Sequence, residues 1–516
     1  MGSSVALAIP EFDHPAAVLV SAKNSALYDA GSSTRRTAGW RAPTSSANQG
    51  VLANLTTLRD RSRAATRNDG YAKGVIDKLV TNVVGTGIQP LSQCPDPDLR
   101  KQIDALFLRW TDESDADGLL DFYGQQMQAV RGWFEGGESF TRMRPRVAGD
   151  GLSVPLQLQV LEPELCPHSH TVFSSTQRVR AGIEFSPVGR RIAYYFHPSR
   201  PELDDFDASQ LRRVPADTVS HLFDPLRPGQ LRGIPILTQA MIALHELAKY
   251  RDATVLRVQL ANMFMGFVKT QPSIGAAQTI HPLTGQATET SVDNKPMLAM
   301  QPGTLQELLP GEDLVFADPP EAQGFADFMR QNLYDTAAAT GVPYEVLTGD
   351  MRGVNDRTVR LVLLEFRRRI QMLQHHNVVF QFCRPIWKAW MDRVFLSGAL
   401  PIPLDYINNP APWQAVKWNP QGWPYMHPVQ DVAAEKEAVR DGFRSRSQVV
   451  ADRGDDAEAI DLEQAADNAR ADALGLKHDS DGRTPAAAAP TQTAPQPAAP
   501  DDDDADKPSK ETEGAK

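Results

Sequence analysis

His245 and Glu246 begin the His-Glu-x-x-His pattern by which one helix face offers two zinc ligands and a general base. Lys249 stands where the second His is required, so the metal reading fails and a solvated helical surface remains. Cys166, His168 and His170 lie close together near Pro163 and Pro167. A metal there would need at least one more ligand and partners to orient the set, so an ordinary loop is expected. His375 and His376 are adjacent and point to different faces of a helix. Asp112, Glu113, Asp115 and Asp117 lack the glycine and terminal Glu of a calcium loop. There is no phosphate-cradling glycine-rich loop ending in Gly-Lys, since no Gly-Lys dipeptide occurs, and no Gly-x-Ser-x-Gly elbow. No catalytic residue, metal or cofactor is expected, and the chain does not read as an enzyme.

The most informative stretch is GVPYEVLTGDMRGVNDRTVRLVLLEFRRR, from Gly341 to Arg369. A helix stop, a polar glycine-bearing loop and a basic amphipathic helix follow one another directly. Asp350, Arg352, Asp356 and Arg357 give the loop mixed charge, Asn355 is placed to cap the helix, and Arg360 lies in its first turns. The pattern reads as a loop held on rigid helices and offered to something long and charged.

The elements that must hold this loop can be followed along 516 residues, enough for two or three domains. Acidic residues (64) outnumber basic ones (53), for a net charge of -11. That excludes a protein that wraps DNA by neutralising phosphates, but not one past which DNA slides. Three scattered cysteines give neither a disulfide framework nor a zinc knuckle and fit a reducing compartment. No run of about eighteen apolar residues predicts a membrane span. The first residues do not form a convincing signal peptide, and Ala6 occupies the position where a myristoylation motif wants Ser or Thr.

Residues 1–49 read as an N-terminal arm with Tyr28 and Trp40 as anchor points, or equally as a loose leader. Asn54 to Val84 is helical in pattern, with Arg59, Arg61, Arg63 and Arg67 crowded together. These arginines read as a nucleic-acid contact or as a solvated or intersubunit face. Helices follow over Asp98–Thr111 and Leu120–Phe134, the latter stopped at Gly136-Gly137. Ser139 to Phe223 breaks into short alternating runs and predicts an antiparallel β subdomain. With Pro235 at its first turn, Ile236 to Phe267 predicts one helix of roughly thirty residues, about 45 Å long. Leu237, Met241, Leu244, Ala248, Val255 and Val258 form its stripe. Lys269 to Gln323 reads as a small mixed excursion, with KPMLAM and DLVFAD extended, before a helix over Gly324–Thr340. Arg357 to Ala389 predicts a long helix whose seam is Val359, Leu363, Phe366, Ile370, Leu373, Asn377 and Phe380, kinked or ended at Pro385. PAPWQAVKWNPQGWPY reads as an irregular packed strap and His427 to Gly475 as polar helices. The Ala-, Pro- and Asp-rich residues 477–516 cannot bury enough apolar surface to fold.

An ordered series of segments resembles the lambda-like family of phage portal proteins. It runs YAKGVIDKLVTNVVGTGIQP, RVPADTVSHLFDPLRPGQLRGIP, LANMFMGFVKT, MQPGTLQELLPGEDLVFADPP, GVPYEVLTGD, LLEFRRRI and FCRPIWKAW. The resemblance spans about Tyr28 to Leu476. It implies an α+β, portal-type ring subunit with long stem helices, an antiparallel β wing, a small α/β clip and a helical crown. The implied divisions are arm 1–49, wing 50–234, stem helices 235–341 flanking a clip at about 269–323, channel loop with long helix and strap 342–426, crown 427–476 and acidic tail 477–516. The implied assembly is a homo-oligomer, usually a dodecamer, at one capsid vertex of the virion, built in the host cytoplasm. Its implied partners are double-stranded DNA, the terminase large subunit, a head-completion or adaptor protein and the major capsid protein. Asp350, Arg352, Asn355, Asp356, Arg357 and Arg360 are the implied channel-loop residues. Family members often carry Asn-Tyr-Ser-Ser where this chain has Asn355, Asp356, Arg357 and Thr358, which separates the loop's location from its contacts. The alternative is a head–tail junction or scaffold protein that never meets DNA.

Overall fold

The computed structural model describes residues 44–174, 177–198, 207, 209–263, 267–270, 312–315, 324–476, 478 and 483. Tyr28, Trp40, most of the excursion 269–323 and nearly all of the tail 477–516 lie outside the described residues. The chain divides into two compact units, Met1–Gln421 and Gly422–Lys516.

The first unit is α+β. Helices α1 (Ala47–Leu52), α2 (Leu55–Asn68), α3 (Gly70–Val83), α4 (Pro97–Thr111) and α5 (Phe122–Gly136) precede the sheets, with the short strand β1 (Gln89–Ser92) among them. The single helix expected over Asn54–Val84 is broken at Asp69. Its backbone is extended, and its carboxylate accepts the Tyr71 and Ala72 N–H groups to start α3. Helix α5 ends as expected, on Gly137 at φ 87°, where a Cβ would collide with the Ile234 backbone.

Two antiparallel sheets follow, as the alternation predicted. Strands β2 (Glu138–Pro145), β3 (Leu156–Leu161) and β9 (Val219–Phe223) make one, in the order β3-β2-β9. Strands β4 (Val172–Phe173), β5 (Arg178–Arg180), β6 (Ile183–Phe185), β7 (Arg191–Phe196) and β8 (Arg212–Pro215) pair in sequence order in the other. Phe140, Cys166, Ile183, Tyr194, Phe196, Val214 and Val219 form the core they share.

Helix α6 (Met241–Met263) starts six residues after Pro235 rather than on it. Residues 236–240 are turns, closed by bonds such as Thr238 N–H to the Pro235 carbonyl. The expected stripe holds at Leu237 and Leu244, both buried, and fails at Val255 and Val258, which are more than half exposed. Phe267 lies in strand β10 (Phe267–Thr270), which pairs antiparallel with β11 (Glu312–Val315). Helix α7 (Phe325–Thr340), the short α8 (Tyr344–Thr348) and α9 (Asp356–Leu373) bracket the polar loop.

Helix α9 runs on into a π-wound stretch, Gln374–Cys383, and then α10 (Arg384–Leu396). Pro385 therefore neither ends nor interrupts the rod. It falls where the π winding passes into α10, and the Gln381 carbonyl that an α-helical N–H at position 385 would bond accepts from the Ser220 hydroxyl instead. The π winding adds residues per turn, so the expected seam is carried inward through Asn377 and loses Phe380, which is 61% exposed. The same stretch fastens to β9: Ser220 donates to the Gln381 carbonyl (2.6 Å), and Asn377 donates to that of Phe223 (3.1 Å). Beyond it, Trp387 and Trp390 pack on Phe107 at 5.4 and 5.0 Å between ring centres, joining α10 to α4. The expected strap contains strand β12 (Val416–Asn419), paired antiparallel with β1.

The second unit contains α11 (Pro428–Arg440), α12 (Arg446–Ala451) and α13 (Ala457–Leu474), closed by Gly475 in the left-handed region. None of the three buries a residue, and Phe443, Leu462 and Leu474 are largely exposed.

A buried ion cluster is centred on Glu138, the first residue of β2. Glu138, fully buried, accepts from Arg232 Nε (2.7 Å), the Gly233 N–H (3.2 Å) and His221 Nε2 (2.9 Å), and pairs with Arg59. Arg232 spends its other donors on the carbonyls of Pro163, Cys166 and Ala181. The expected nucleic-acid or solvated role is therefore wrong for Arg59, which is 2% exposed; Arg63 is paired with Glu164. Burial opposes ionisation of Glu138, but Arg232 and Arg59 prevail and hold its carboxyl well below the usual range. Arg191 Nη1 donates to His221 Nδ1 (3.0 Å), so the ring is neutral and donates to Glu138 from Nε2. Burial pushes the His221 pKa down to about 4.

Removing one member leaves its partners charged in a dry site. Arg232→Met and Glu138→Gln are each expected to cost about 3–5 kcal/mol, read as a lowered urea midpoint. A second expectation concerns acid. Because the unfolded chain protonates at His221 before the folded one does, stability is whole above about pH 6.5 and falls as pH drops toward 4, by up to about 3 kcal/mol. Urea midpoints between pH 7.5 and 5 test this, and His221→Gln should flatten the slope.

Candidate functional site

The loop between α7 and α9 is fastened at both ends. Gly341 takes φ 67°, and its N–H bonds the Ala337 carbonyl (2.7 Å). A Cβ there would sit 1.0 Å from Arg369 Nη1, which donates to the Thr340 carbonyl (2.7 Å) and so caps α7 from α9. Burial lowers the Arg369 pKa, opposed by Asp224. At the other end Asn355 caps α9, as its position predicted, accepting from the Thr358 N–H and hydroxyl, both at 2.9 Å. Asp356 sits in the first turn, where the helix dipole favours a carboxylate.

Between these ends, Tyr344 anchors α8. It packs with Leu247, Leu333 and Ala337, meets the Tyr334 ring in a tilted contact at 4.4 Å between centres, and lies under the Arg330 guanidinium with Tyr334. Its hydroxyl donates to Asp350 Oδ2 (3.1 Å). Arg352 grips the same carboxylate as a fork, with Nε and Nη2 both at 2.8 Å, and adds its backbone N–H at 3.1 Å. The Arg352 side chain, then its N–H, hold the Asp350 carboxyl well below the usual carboxylate range.

The structure thus brings Asp350 and Arg352 together as one internally paired turn and sets Asn355, Asp356, Arg357 and Arg360 on the start of α9. Arg352 remains 87% exposed in side-chain area while Asp350 is 14% exposed, so the pair turns its cationic side outward. Arg357 is exposed and Arg360 half-buried. Tyr344, Arg330 and Arg369 were not singled out from sequence. The partners of Tyr344 and Arg369 lie six and twenty-nine residues away, beyond any local pattern. Cys166, His168 and His170 do not gather a metal site: Cys166 is buried against the Gly182 carbonyl, and no group of three potential ligands exists among the described residues.

The sequence model of a family described as "Phage portal protein, lambda family" matches residues 33–374. The chain belongs to that family. It is 25% identical over 465 residues to a probable portal protein of Halomonas phage phiHAP-1, covering 86% of each. It is 20% identical over 474 residues to portal protein B of Escherichia phage lambda, covering 85% of this chain and 88% of that one. A solved chain described as the neck of a native GTA particle, computed with C12 symmetry, superposes at TM-score 0.44 with 14% identity, covering 77% of this portal protein and 91% of that chain. A likeness of that size adds nothing to the family assignment.

The loop geometry has a direct test. Asp350→Ala is expected to speed amide exchange at residues 350–354 by about tenfold or more while moving global stability by under about 1 kcal/mol. Gly341→Ala, which strains φ and displaces Arg369, should instead lower global stability by about 1–3 kcal/mol in the same denaturation assay.

Proposed function

We propose that twelve or so copies of this chain form the ring at one capsid vertex through which double-stranded DNA is packaged and later ejected. The ring is passive: a terminase docks on it and supplies the work, and head-completion proteins replace the terminase when filling ends. Capsid protein surrounds the ring in the virion, and the particle is assembled in the host cytoplasm. The observation that carries the reading is membership of the lambda portal family over residues 33–374.

On this reading residues 50–234 form the wing, α6 and α7 the stem, and the excursion between β10 and β11 the clip that receives terminase. The strap and long helix back the channel loop, and residues 427–476 form the crown. The loop suits a translocating polymer. Its Asp350–Arg352 pair is satisfied within the chain, so the guanidinium meets passing phosphates with its charge already offset. Weak contact of this kind leaves no deep well for DNA to stop in. Arg357 is the exposed cation beside it.

Imaging and native mass measurement of the purified protein test the ring: a closed oligomer with a central opening wide enough for duplex is expected, and monomers or solid discs would remove the reading. Arg357→Gln should reduce DNA packaged per particle with ring mass unchanged. Loss of the ring itself would make Arg357 structural.

A further inference from the structure

We propose that the outer face of α9 is the seat of a second copy's α7, so that these two helices make a head-to-tail contact between subunits. The proposal rests on the ring reading above and deepens it by naming the surfaces.

Helix α9 is apolar on two opposite faces. Phe366, Ile370 and Leu373 are buried in the chain's own core. Half a turn around the helix, Leu361, Leu364 and Met372 are 69%, 51% and 51% exposed, with Arg368 between them. A solvated helix needs one apolar stripe to fold, and a second stripe of large side chains marks a surface that is covered in the assembled state. Among the described residues Arg368 pairs with the neighbouring Glu365, at 3.2 Å, and both side chains are more than three-quarters exposed. Such a pair is worth little and exchanges readily for a better partner.

The complementary face is on α7. Its outer arc carries Asp327, Tyr334, Asp335 and Ala338, all exposed. Asp327 and Asp335 lie eight residues apart on this arc with the small Ala338 one turn beyond, while the Tyr334 ring beside them is packed on Tyr344 of its own chain beneath Arg330. The carboxylates of α7 therefore complement Arg368 on the outer face of α9 in charge, and the small Ala338 leaves room for one of that face's large side chains. The helix lengths also match: 16 and 18 residues are about 24 and 27 Å of helix. A closed ring requires that each subunit offer two different, mutually complementary surfaces, which is what two unlike faces on two helices supply. DNA is a poorer occupant, because phosphates gain nothing from three large apolar side chains.

Cross-linking decides the matter cleanly, since Cys94, Cys166 and Cys383 are all buried. The full-length double variant Leu364→Cys/Ala338→Cys, oxidised under native conditions, is expected to give a ladder of covalent oligomers up to the closed ring on denaturing gels. Each single variant should give none. In parallel, Leu361→Asp/Leu364→Asp should lower the assembled fraction about tenfold or more with an unchanged monomer melting curve. Rings that assemble from the double-cysteine variant without any ladder would overturn the proposal and leave the ring reading standing. Dimers from Leu364→Cys alone would replace it with a two-fold contact. A wild-type chain that never assembles would instead remove the ring reading itself.

Discussion

Everything that positions the loop begins with the burial of Glu138. One carboxylate, fully out of water, is held by Arg59 from α2, Arg232 and Gly233 from the segment leading to α6, and His221 from β9. Arg232 in turn fixes the carbonyls of Pro163, Cys166 and Ala181 between the two sheets. Six separate stretches of chain therefore share one electrostatic site. A buried charge is tolerable only when its partners are all in place, so these stretches have a single mutual arrangement. The protonation states follow from it. Arg191 makes the His221 Nδ1 an acceptor, which leaves the ring neutral and its other nitrogen a donor to Glu138.

From that site the order spreads by packing. Strand β9 is buried along its whole length and is bonded to the π-wound stretch through Ser220, Phe223, Asn377 and Gln381. The rod α9–α10 is thereby fixed at its middle, while Trp387 and Trp390 fix its far end among Phe107 and Phe122. Arg369 carries the constraint forward, reaching from α9 to the last carbonyl-rich turn of α7. The loop is then the short span between two rigid ends, and its own Asp350–Arg352–Tyr344 bonds fold it into a compact turn rather than a loose strand.

Much of this was legible locally. The Asn355 cap, the glycine stops at 137, 341 and 475, the antiparallel runs between Ser139 and Phe223 and the buried seam from Phe366 to Asn377 all follow from short-range periodicity and capping chemistry. The misreadings have different causes. Asp69 breaks a continuous helical pattern because its side chain satisfies the next helix's N–H groups. Pro385 fails to break one because it sits where π winding passes into α winding and Ser220 takes up the carbonyl its missing N–H would have bonded. Arg59 is indistinguishable in sequence from its exposed neighbours Arg61 and Arg67. Only a carboxylate seventy-nine residues away makes it a core residue.

The sequence by itself determined the order of elements, the absence of familiar catalytic and metal motifs, the capped loop and the family, since each is written in neighbouring residues or in an ordered series of short segments. Tertiary structure decided which charges are core and which are surface, that Asp350 and Arg352 cancel one another, and that α9 carries a buried and an uncovered apolar face. These depend on partners far apart in the chain. Burial, which turns a solvated charge into a structural one, is a property of the folded whole and not of any window of residues.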